Sequence, residues 1–331
     1  MSIKFISVIR VLKCWMGSYL QENKRYIGRA VFDEAQQLLV SNKFRPAFNA
    51  IPDTYEIPIP RLYVSATLPP ALMDLFIKLA KLPPLPRTKI IRAPTNRLEH
   101  SYQLMLLPPK SKRTVQAVVS LLARLVQQEL LHIDMGDRGI IFVRTMNMAN
   151  ELLEVLGLCS TIYYSKMEVS EKMESVQAWR DGQTPWMIAT TAFIQGVDYP
   201  RVQSIIFADL PYGMIDFVQG AGRGGRTCSP TSIYLVANQD SGLMESDSEA
   251  FVKCYKPMNC WKNNQRLCRR YHISECMDGD IQTCHSLKDA VKCDICCPDS
   301  IYTRLGKQAL SGDDGLLKHQ VWSNLLLITM A

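Results

Sequence analysis

Six short apolar runs, each followed by small or polar residues, constrain the fold of this chain more than any other feature of its sequence. They cover residues 30–32, 62–64, 140–143, 187–189, 205–207 and 233–236. Between many of them lie segments with helical periodicity, such as 146–156 and 170–181, the second with Ser170 as a candidate N-cap. Strands that alternate with helices predict an α/β fold, in which helices cover both faces of a mostly parallel sheet. Ligands of such sheets bind at the carboxyl ends of the strands, so the residues that follow the runs are candidates for chemistry.

The composition is that of a globular chain with a core. With 331 residues, 47% of them hydrophobic and 21% charged, the chain is long enough for two domains. Lys4, Arg10 and Lys13 interrupt the apolar beginning, which leaves no stretch near the ~20 residues needed to span a bilayer. Eleven cysteines without a secretion signal predict free thiols and a metal site in a cytosolic or nuclear protein. The net charge of +7 permits an anionic partner without requiring one.

Two carboxylates, Asp33 and Glu34, follow the first apolar run. An aspartate at the end of a strand can hold Mg²⁺, and a neighbouring glutamate can orient or deprotonate a water that attacks a phosphoryl group. The alternative is that the pair begins an exposed helix, where acidic residues are favoured. Ser65-Ala66-Thr67 follows the second run, and hydroxyl side chains at that place can couple a nucleotide site to a neighbouring domain.

Two further motifs follow later apolar runs. One is the segment 189–198, and the other contains Gln219, Arg223 and Arg226 with glycines between them. Because the two arginines stand three residues apart, about one helical turn, we expect both to face the same cleft. Guanidinium groups suit phosphate oxygens, and an arginine can stabilise the charge of a phosphoryl group in transfer. For the glycine-rich segment alone, a flexible basic turn is the alternative.

In this order the four motifs resemble motifs II, III, V and VI of superfamily-two helicases, and the RecQ family of DNA helicases fits best. The RecQ-like features are Phe44-Arg45-Pro46, Ala192-Phe193 with Gly196-Val197-Asp198, and Asp209-Leu210-Pro211. A DEAD-box RNA helicase would normally have histidine in place of Gln219, and motif II of the family usually has histidine in place of Gln36. The resemblance covers residues 26–298 and is of the RecQ-like kind that is numerous in fungi.

The resemblance implies an ATP-dependent 3′–5′ DNA helicase of the nucleus that uses ATP, Mg²⁺ and Zn²⁺ and acts on single-stranded or 3′-tailed duplex DNA. It implies catalytic roles for Asp33 and Glu34 at Mg²⁺ and water, and for Arg223 and Arg226 at the phosphates. The other implied contacts are to the nucleotide, by Gln219, Gly196 and Asp198, and to nucleic acid, by Thr190, Arg269 and Arg270. Its fold would be a pair of RecA-like parallel sheets covered by helices, the first partial and the second complete, with a small helical zinc-binding subdomain.

Four cysteines near the end of the chain resemble the zinc-binding segment of the same family. Their spacing is C-x15-C-x8-C-x2-C, formed by Cys268, Cys284, Cys293 and Cys296. Four thiolates can surround Zn²⁺ tetrahedrally, and such a site can contribute roughly 10 kcal/mol or more of apparent binding free energy. Ala290 stands where the family has a cysteine, so Cys284 would replace that ligand, with Cys276 or Cys297 as alternatives. Incidental buried thiols are the other explanation.

Residues 252–272 are rich in basic and aromatic side chains. The segment has six lysines and arginines, Arg269 and Arg270 among them, with three interleaved aromatic residues and no acidic residue. Basic groups neutralise phosphates and aromatic faces stack on bases, so the segment predicts a surface for single-stranded DNA. The alternative is a solvated helical face whose aromatic residues lie in the core.

The phosphate-binding loop Gly-x4-Gly-Lys-Ser/Thr, which ATPases of this class use, does not occur in the sequence. The residues before Asp33 are too few to hold it, which predicts a truncated first lobe. Proline-containing passages at 82–86 and 92–96 indicate the boundary between two lobes. The predicted organisation is a partial first lobe at 1–95, a second lobe at 96–245, a zinc-binding subdomain at 246–300 and a tail at 301–331. Two interpretations remain, a helicase motor or an inactive fragment that at most binds nucleic acid or a partner.

Overall fold

The computed structural model of the chain describes residues 28–40, 60–83, 87–108, 115–130, 134–190, 198–240 and 249–311, together with residues 132 and 193. By the packing of their backbone, the described residues form two compact units. Of the described residues, those up to 95 together with 249–254 and 276–279 belong to unit 1, and those within 96–240, 255–275 and 280–311 belong to unit 2. The cysteine-bearing residues 284–296 therefore pack within unit 2 and do not form a third unit.

Unit 1 contains a pair of parallel strands. Its described elements before residue 95 are β1 (Ala30–Phe32), α1 (Gln37–Val40), β2 (Arg61–Tyr63), a 3₁₀ turn (Pro70–Leu72) and α2 (Met73–Leu79). Phe32 lies opposite Tyr63 across the two strands, and their rings stack with centroids 4.8 Å apart. Phe76 of α2 meets the Tyr63 ring edge-on, so the aromatic cluster ties the strands to the helix.

The described part of unit 2 is built on a six-stranded parallel sheet. Its strands are β3 (His100–Leu107), β4 (Arg138–Phe142), β5 (Ser160–Tyr163), β6 (Trp186–Ala189), β7 (Val202–Phe207) and β8 (Thr231–Asn238). Their order across the sheet is β3-β8-β7-β4-β6-β5. Every residue of β4, β6 and β8 is buried, as expected for strands covered on both faces. The predicted α/β fold with a parallel sheet is confirmed.

Among the described residues, seven helices follow strand β3 along the chain. They are α3 (Val115–Leu130), α4 (Met146–Leu156), α5 (Val169–Asp181), α6 (Met214–Ala221), α7 (Glu249–Asn263), α8 (Arg269–Asp278) and α9 (Ile301–Ser311). Helix α3 buries an apolar stripe that includes Val118, Leu122 and Leu125, and it packs against α4 and α9. Within the described ranges, none of the helices has both the length and the apolar character needed to cross a membrane.

All six predicted strands are present, but the sequence did not predict β3 and β5. Polar residues interrupt the apolar pattern of β3, yet they are satisfied in place. The Ser101 hydroxyl donates to the Lys292 carbonyl over 2.7 Å, and the Thr303 hydroxyl donates to Gln103 Oε1 over 2.8 Å. Because these partners come from far along the chain, the local sequence does not reveal that the strand can be buried.

Helix α5 begins one residue earlier than predicted, and its N-cap is Glu168 instead of Ser170. The Glu168 amide donates to the Glu171 carboxylate over 3.0 Å, in a capping box at the helix start. Helix α4 agrees with the prediction at both ends. Its N-cap is Thr145, whose hydroxyl accepts a hydrogen bond from the Met148 amide over 3.3 Å.

A buried acid, Glu129 of α3, lies against strand β8. Its carboxyl oxygens are 2.7 Å from the Ser232 hydroxyl and 2.8 Å from the Tyr234 hydroxyl, which is also 3.0 Å from the Tyr302 carbonyl oxygen. Burial raises the pKa of Glu129 and the pKa of Tyr234. Since the one Tyr234 proton cannot serve two acceptors, a protonated Glu129 that donates to Tyr234 completes the chain of hydrogen bonds.

Candidate functional site

The two candidate carboxylates of unit 1 lie where strand β1 ends. Asp33 is exposed, Glu34 is half-buried, and Asp33 Oδ1 accepts a hydrogen bond from the Glu34 amide over 2.9 Å. Glu34 has a φ of 52°, a left-handed conformation that costs a non-glycine residue roughly 1–2 kcal/mol. The pair therefore stands on a tight turn at the carboxyl end of β1, before helix α1 begins at Gln37.

A chain of hydrogen bonds joins this turn to Ser65-Ala66-Thr67, which follows β2. The side chain of Gln36 is fully buried, and its Nε2 donates to Glu34 Oε2 over 2.6 Å. The Ser65 hydroxyl donates to Gln36 Oε1 over 2.5 Å, and the Thr67 amide donates to Ser65 Oγ over 3.1 Å. Gln36, which departs from the family pattern, thus connects the two motifs of unit 1.

In unit 2, Arg223 and Arg226 lie in the loop of residues 222–226 that follows helix α6, here called the arginine loop. The Gly225 amide of this loop donates to the carbonyl of Val202, the first residue of β7, over 3.1 Å. The arginine loop therefore lies at the amino ends of the strands, and the prediction that it lies at the carboxyl ends was wrong. Helix α6 lies between β7 and the loop, and it returns the chain from the carboxyl ends of the strands to their amino ends.

The spacing of the two arginines predicted that they lie one helical turn apart. In the structure they do not lie on a helix. Gly225 between them has a φ of 71°, and a Cβ atom there would lie 2.5 Å from Glu99 Cγ. Arg226 instead forms an ion pair with Asp198, whose side chain is 78% exposed. Arg223 and Gln219 are half-buried, and Gln219 lies in the last turn of α6.

Thr190 directly follows β6, so it lies at the carboxyl ends of the strands of the same sheet. It is half-buried, and its amide donates to the Tyr163 carbonyl over 3.2 Å. Thr190 and the arginine loop therefore lie at opposite ends of the strands. Gly196 lies outside the described residues, as do Ala192, Val197 and the motif Phe44-Arg45-Pro46.

Four sulfur atoms form a compact cluster in unit 2. They belong to Cys268, Cys284, Cys293 and Cys296, and all lie within 4.8 Å of one another. Cys268 Sγ is 3.5 Å from Cys284 Sγ and 3.9 Å from Cys293 Sγ. Tetrahedral zinc with metal–sulfur bonds of about 2.3 Å places its ligands about 3.8 Å apart. The cluster has the size of a four-thiolate metal site, and Cys284 completes it in preference to the two alternatives.

Hydrogen bonds around the cluster favour thiolates. The Cys284 amide donates to Cys268 Sγ over 3.2 Å, and the Arg269 amide donates to Cys293 Sγ over 3.5 Å. Hydrogen bonds from the Cys284 and Cys293 side chains lower the pKa of the Cys268 thiol. The hydrogen bond to Cys268 in turn raises the pKa of Cys284. Negative charge on the cluster is therefore favoured first at Cys268.

Arg269 and Arg270 were predicted to bind nucleic acid, and the structure contradicts this. Their side chains are 1% and 0% exposed. Arg269 is paired with Asp294, and Arg270 donates to the carbonyls of Arg97 and His100, each over 2.6 Å. Because neither guanidinium reaches solvent, these arginines stabilise the fold around the cysteines.

Two of the three aromatic residues of the same segment are internal as well, and Tyr271 is half-buried. Trp261 is 0% and Tyr255 2% exposed, and the Arg269 guanidinium lies 4.9 Å from the centre of the Trp261 ring. The interpretation that places the aromatic residues in the core is correct for Trp261 and Tyr255. Among the described basic residues of the segment, Lys256 and Arg266 keep exposed side chains.

Sequence reasoning missed three residues that hold these sites together. Asp294, which pairs with Arg269, stands between two of the clustered cysteines, and this position could have marked it. Arg97 and His100 contact the backbone of the arginine loop: Arg97 Nη2 donates to the Gly225 carbonyl over 3.0 Å, and His100 Nε2 is 3.2 Å from the Gly224 carbonyl oxygen. No local pattern in the sequence distinguishes these two side chains.

A parallel sheet of this order with an arginine loop at its edge is the architecture of a RecA-like helicase lobe. Residues 120–228 match the family model described as the helicase conserved C-terminal domain. The chain is 24% identical over 246 residues to a Caenorhabditis briggsae protein assigned as an ATP-dependent DNA helicase Q1, which covers 72% of this chain and 37% of that protein. It is 28% identical over 113 residues to the ATP-dependent DNA helicase RecQ of Synechocystis, covering 33% and 24% of the two chains.

Solved structures show the same fold. The chain resembles Saccharomyces cerevisiae Dbp5 bound to RNA and ADP BeF3, with a TM-score of 0.52, 17% identity, and coverage of 74% of this chain and 61% of that one. It resembles Mycobacterium smegmatis helicase Lhr bound to single-stranded DNA and AMP-PNP, with a TM-score of 0.53, 15% identity, and coverage of 82% and 33%. Residues 120–228 are thus similar to the C-terminal domain of helicases. In sequence the chain is similar to DNA helicases of the RecQ family, and it spans well under half the length of those relatives.

Proposed function

We propose that the chain carries part of an ATP-dependent 3′–5′ DNA helicase motor of the RecQ type, which couples ATP hydrolysis to the unwinding of duplex DNA. The observation that carries the proposal is the arginine loop, which presents Arg223 and Arg226 from a lobe that matches the helicase C-terminal domain. Guanidinium groups bind phosphate oxygens and stabilise the charge of a phosphoryl group in transfer. We also propose the nucleus as the location of this activity, as the resemblance implies.

In unit 1 the proposed roles follow from what each carboxylate contacts. Asp33 is exposed, and its carboxylate is of the oxygen-donor type that Mg²⁺ prefers. Glu34 would orient and deprotonate the attacking water. The Gln36 hydrogen bond holds one of its oxygens, and Ser65 fixes Gln36 in turn, so the carboxylate is already oriented.

In unit 2 the proposed nucleotide contacts are Gln219, Arg223, Arg226 and Asp198, and the resemblance implies Gly196 as a further one. The ion pair between Arg226 and Asp198 is open to solvent on the aspartate side, and exposed pairs of this kind contribute about 0–1 kcal/mol. Arg226 can therefore exchange the carboxylate for a phosphate at little cost. At the carboxyl ends of the strands, Thr190 remains the proposed contact to single-stranded or 3′-tailed DNA.

The cysteine cluster fits Zn²⁺ in ligand type and in size. Cys268, Cys284, Cys293 and Cys296 would hold the ion, which would supply a tetrahedral cross-link to a segment with little apolar core. Its role in the proposed motor is structural, because all four ligand positions are filled by protein thiolates.

A second candidate is a module that binds nucleic acid or a partner without hydrolysing ATP. It is favoured by one observation, the absence of Gly-Lys-Ser/Thr from the 331 residues. An arginine can accelerate phosphoryl transfer by about 10³ to 10⁵, but only when the phosphate is already bound and in line. We therefore expect the chain by itself to turn over ATP far more slowly than a complete helicase motor.

Phosphate release stimulated by DNA separates the two candidates. Turnover by the purified chain that disappears in both Glu34→Gln and Arg226→Ala would establish a complete catalytic site. Turnover that survives both changes belongs to a contaminant. If the chain is inactive alone, the motor proposal predicts that a separately supplied helicase first lobe with its phosphate loop restores turnover that depends on Arg226. Failure of that addition favours the binding module.

Binding to DNA is tested separately by fluorescence anisotropy of labelled single strands over a series of salt concentrations. We expect weak binding with a strong salt dependence, because neutralised phosphates release counterions. Lys256→Ala and Arg266→Ala change exposed cations and should reduce the salt slope by about one ion each. The absence of any binding at low salt would contradict a nucleic-acid partner.

A further inference from the structure

The backbone of the arginine loop is held from one side by a short segment that precedes and opens strand β3. Arg97 Nη2 donates to the Gly225 carbonyl over 3.0 Å, and His100 Nε2 lies 3.2 Å from the Gly224 carbonyl oxygen. Both carbonyls lie between Arg223 and Arg226 in the chain. Whatever holds these two carbonyls therefore sets the direction in which both arginines leave the backbone.

The state of His100 is determined by its surroundings. The side chain is buried, and burial is the main cause that lowers its pKa to about 4, so the ring is neutral near pH 7. A carbonyl oxygen only accepts hydrogen bonds, so Nε2 carries the proton toward Gly224. Nδ1 then accepts from the Tyr102 hydroxyl, which is 3.2 Å away. The ring has one orientation that satisfies both nitrogens.

Arg270 clamps the same segment from the other side. Its guanidinium donates to the carbonyls of Arg97 and His100 over 2.6 Å each, and to the carbonyl of Leu98 over 3.2 Å. Arg270 lies in the first turn of helix α8, two residues after Cys268 of the sulfur cluster. The Val291 amide adds a fourth contact, since it donates to the Leu98 carbonyl over 2.8 Å.

Arg269, the neighbour of Arg270, provides a contrast. It is as buried as Arg270, but its guanidinium bonds lead to Asp294, Trp261 and Asn264. Arg269 therefore anchors the cysteine segment internally. Arg270 reaches out of that segment to the residues that hold the arginine loop.

We propose that Arg270, His100 and Arg97 are positioning residues, which couple the sulfur cluster to the arginine loop within unit 2. The packing of the first turn of α8 sets the backbone at residues 97–100, and the side chains of Arg97 and His100 then set the carbonyls between Arg223 and Arg226. The functional consequence of this coupling rests on the proposed function, in which those arginines contact phosphate. The coupling itself does not.

Amide hydrogen exchange resolved by segment is the test, because it reports the arginine loop without requiring activity. Arg270→Lys keeps the charge but cannot span three carbonyls with one ammonium group. We expect it to accelerate exchange at least tenfold in residues 222–228, while strands β4 and β6 remain protected. Arg269→Lys is the matched control, and it should leave exchange in residues 222–228 unchanged. Unchanged protection in Arg270→Lys, or equal acceleration in both variants, would overturn the coupling.

The link at His100 is tested independently by a pair of variants, which decides the matter if Arg270→Lys does not fold. His100→Gln retains a side-chain N–H that can reach the Gly224 carbonyl, whereas His100→Phe retains the ring shape without a donor. We expect loop protection to be kept in the first variant and lost in the second. The same protection in both variants would show that the contact does not position the loop.

Binding of a fluorescent ADP analogue provides the functional arm. If the wild-type chain binds the analogue and Arg270→Lys weakens binding at least tenfold with Arg269→Lys unaffected, the coupling acts on the nucleotide site. If the wild-type chain does not bind the analogue even with the first lobe supplied, the proposed function fails. The exchange result then still decides the coupling by itself.

Discussion

Arg269 and Asp294 form a two-pronged ion pair in the interior of unit 2, with Nε to Oδ1 at 2.9 Å and Nη2 to Oδ2 at 3.0 Å. The arginine side chain is 1% exposed and the aspartate side chain 13%. Asp294 Oδ2 also accepts from the Leu104 amide of strand β3 over 3.1 Å. A basic residue that looks like a DNA contact in the sequence is thus a fixed part of the core.

Removal of the Asp294 charge should destabilise the protein. Asp294→Asn keeps the shape but leaves a buried guanidinium without its counter-charge, which costs about 3–5 kcal/mol in comparable sites. The free energy of unfolding from urea titrations followed by circular dichroism measures this loss. Asp299→Asn, a change at an exposed aspartate of the same segment, should stay within about 0.5 kcal/mol of wild type. A similar effect of the two variants would mean that the pair is not buried in solution.

One zinc ion per chain is expected at the sulfur cluster. Protein purified without chelator should contain about one equivalent by metal analysis, and Cys293→Ser should lose it because a tetrahedral thiolate site needs all four ligands. Substitution with Co²⁺ should give the absorption bands of a four-sulfur tetrahedral site. Cys260→Ser, at an exposed cysteine outside the cluster, is the control. Folded wild-type protein free of metal would refute the site, and loss of metal in Cys297→Ser but not in Cys284→Ser would change the ligand set.

The buried carboxyl of Glu129 is expected to be protonated in the native state. Glu129→Gln supplies a donor to Tyr234 and an acceptor for Ser232, so it should change the free energy of unfolding at pH 4.5, before the ionisation of the unfolded chain weighs against wild type, by less than about 1 kcal/mol. Glu129→Leu leaves both hydroxyls without this partner and should cost about 1–3 kcal/mol for each.

The pH dependence of the Glu129 pair has a definite sign. Because the native pKa is raised, the unfolded chain releases the proton first, and wild type should lose stability relative to Glu129→Gln as the pH rises above 4.5. Urea titrations of both proteins between pH 5 and 8 measure the difference. A constant difference would show that the carboxyl is ionised in the native state.

Acid should destabilise the fold through His100. Its native pKa is about 4 against 6.5 for the free side chain, so between these values the unfolded chain binds a proton that the native chain does not. The free energy of unfolding therefore falls as the pH drops from 6.5 to 4, by up to about 3 kcal/mol from this group. Arg97 and Arg270 act in the same direction as burial, and Glu99 opposes them.

The comparison with His100→Gln isolates this effect, because the variant cannot titrate at that position. The difference in free energy of unfolding between wild type and His100→Gln should decrease by up to about 3 kcal/mol from pH 7 to pH 4. The effects of acid at the cysteines are the same in both proteins and cancel in this difference. Urea titrations of the two proteins across this range provide the measurement. A gap that does not change with pH would place His100 in contact with solvent.

Much of the fold was predictable because burial on both faces of a parallel sheet leaves a local signal. The runs that became β4, β6 and β8 are continuous apolar segments, and these strands are buried at every residue. Strand β3 was missed because it buries Ser101 and Gln103, whose partners Lys292 and Thr303 are remote in the sequence. Local patterns report apolar burial, but they do not report buried polar groups that find distant partners.

The candidate sites divide in the same way. The spacing predicted the four cysteines that cluster, with Cys276 and Cys297 left open beside Cys284. Motifs made Asp33, Glu34, Arg223 and Arg226 candidates, because the proposed chemistry requires those residue types. The motif did not reveal whether the arginine loop lies at the amino ends or at the carboxyl ends of the strands. That depends on how helix α6 returns the chain across the sheet, which is a property of topology.

The sequence by itself determined the class of fold and the residue types at each site, because hydrophobic periodicity and ligand chemistry are local. Only the tertiary structure decided which charges are buried. Arg269 meets Asp294, 25 residues along the chain, and Arg270 meets the His100 carbonyl, 170 residues away. A guanidinium group can leave water only where a carboxylate or several carbonyl dipoles replace its hydration, and for these arginines those partners come together only when the chain is folded.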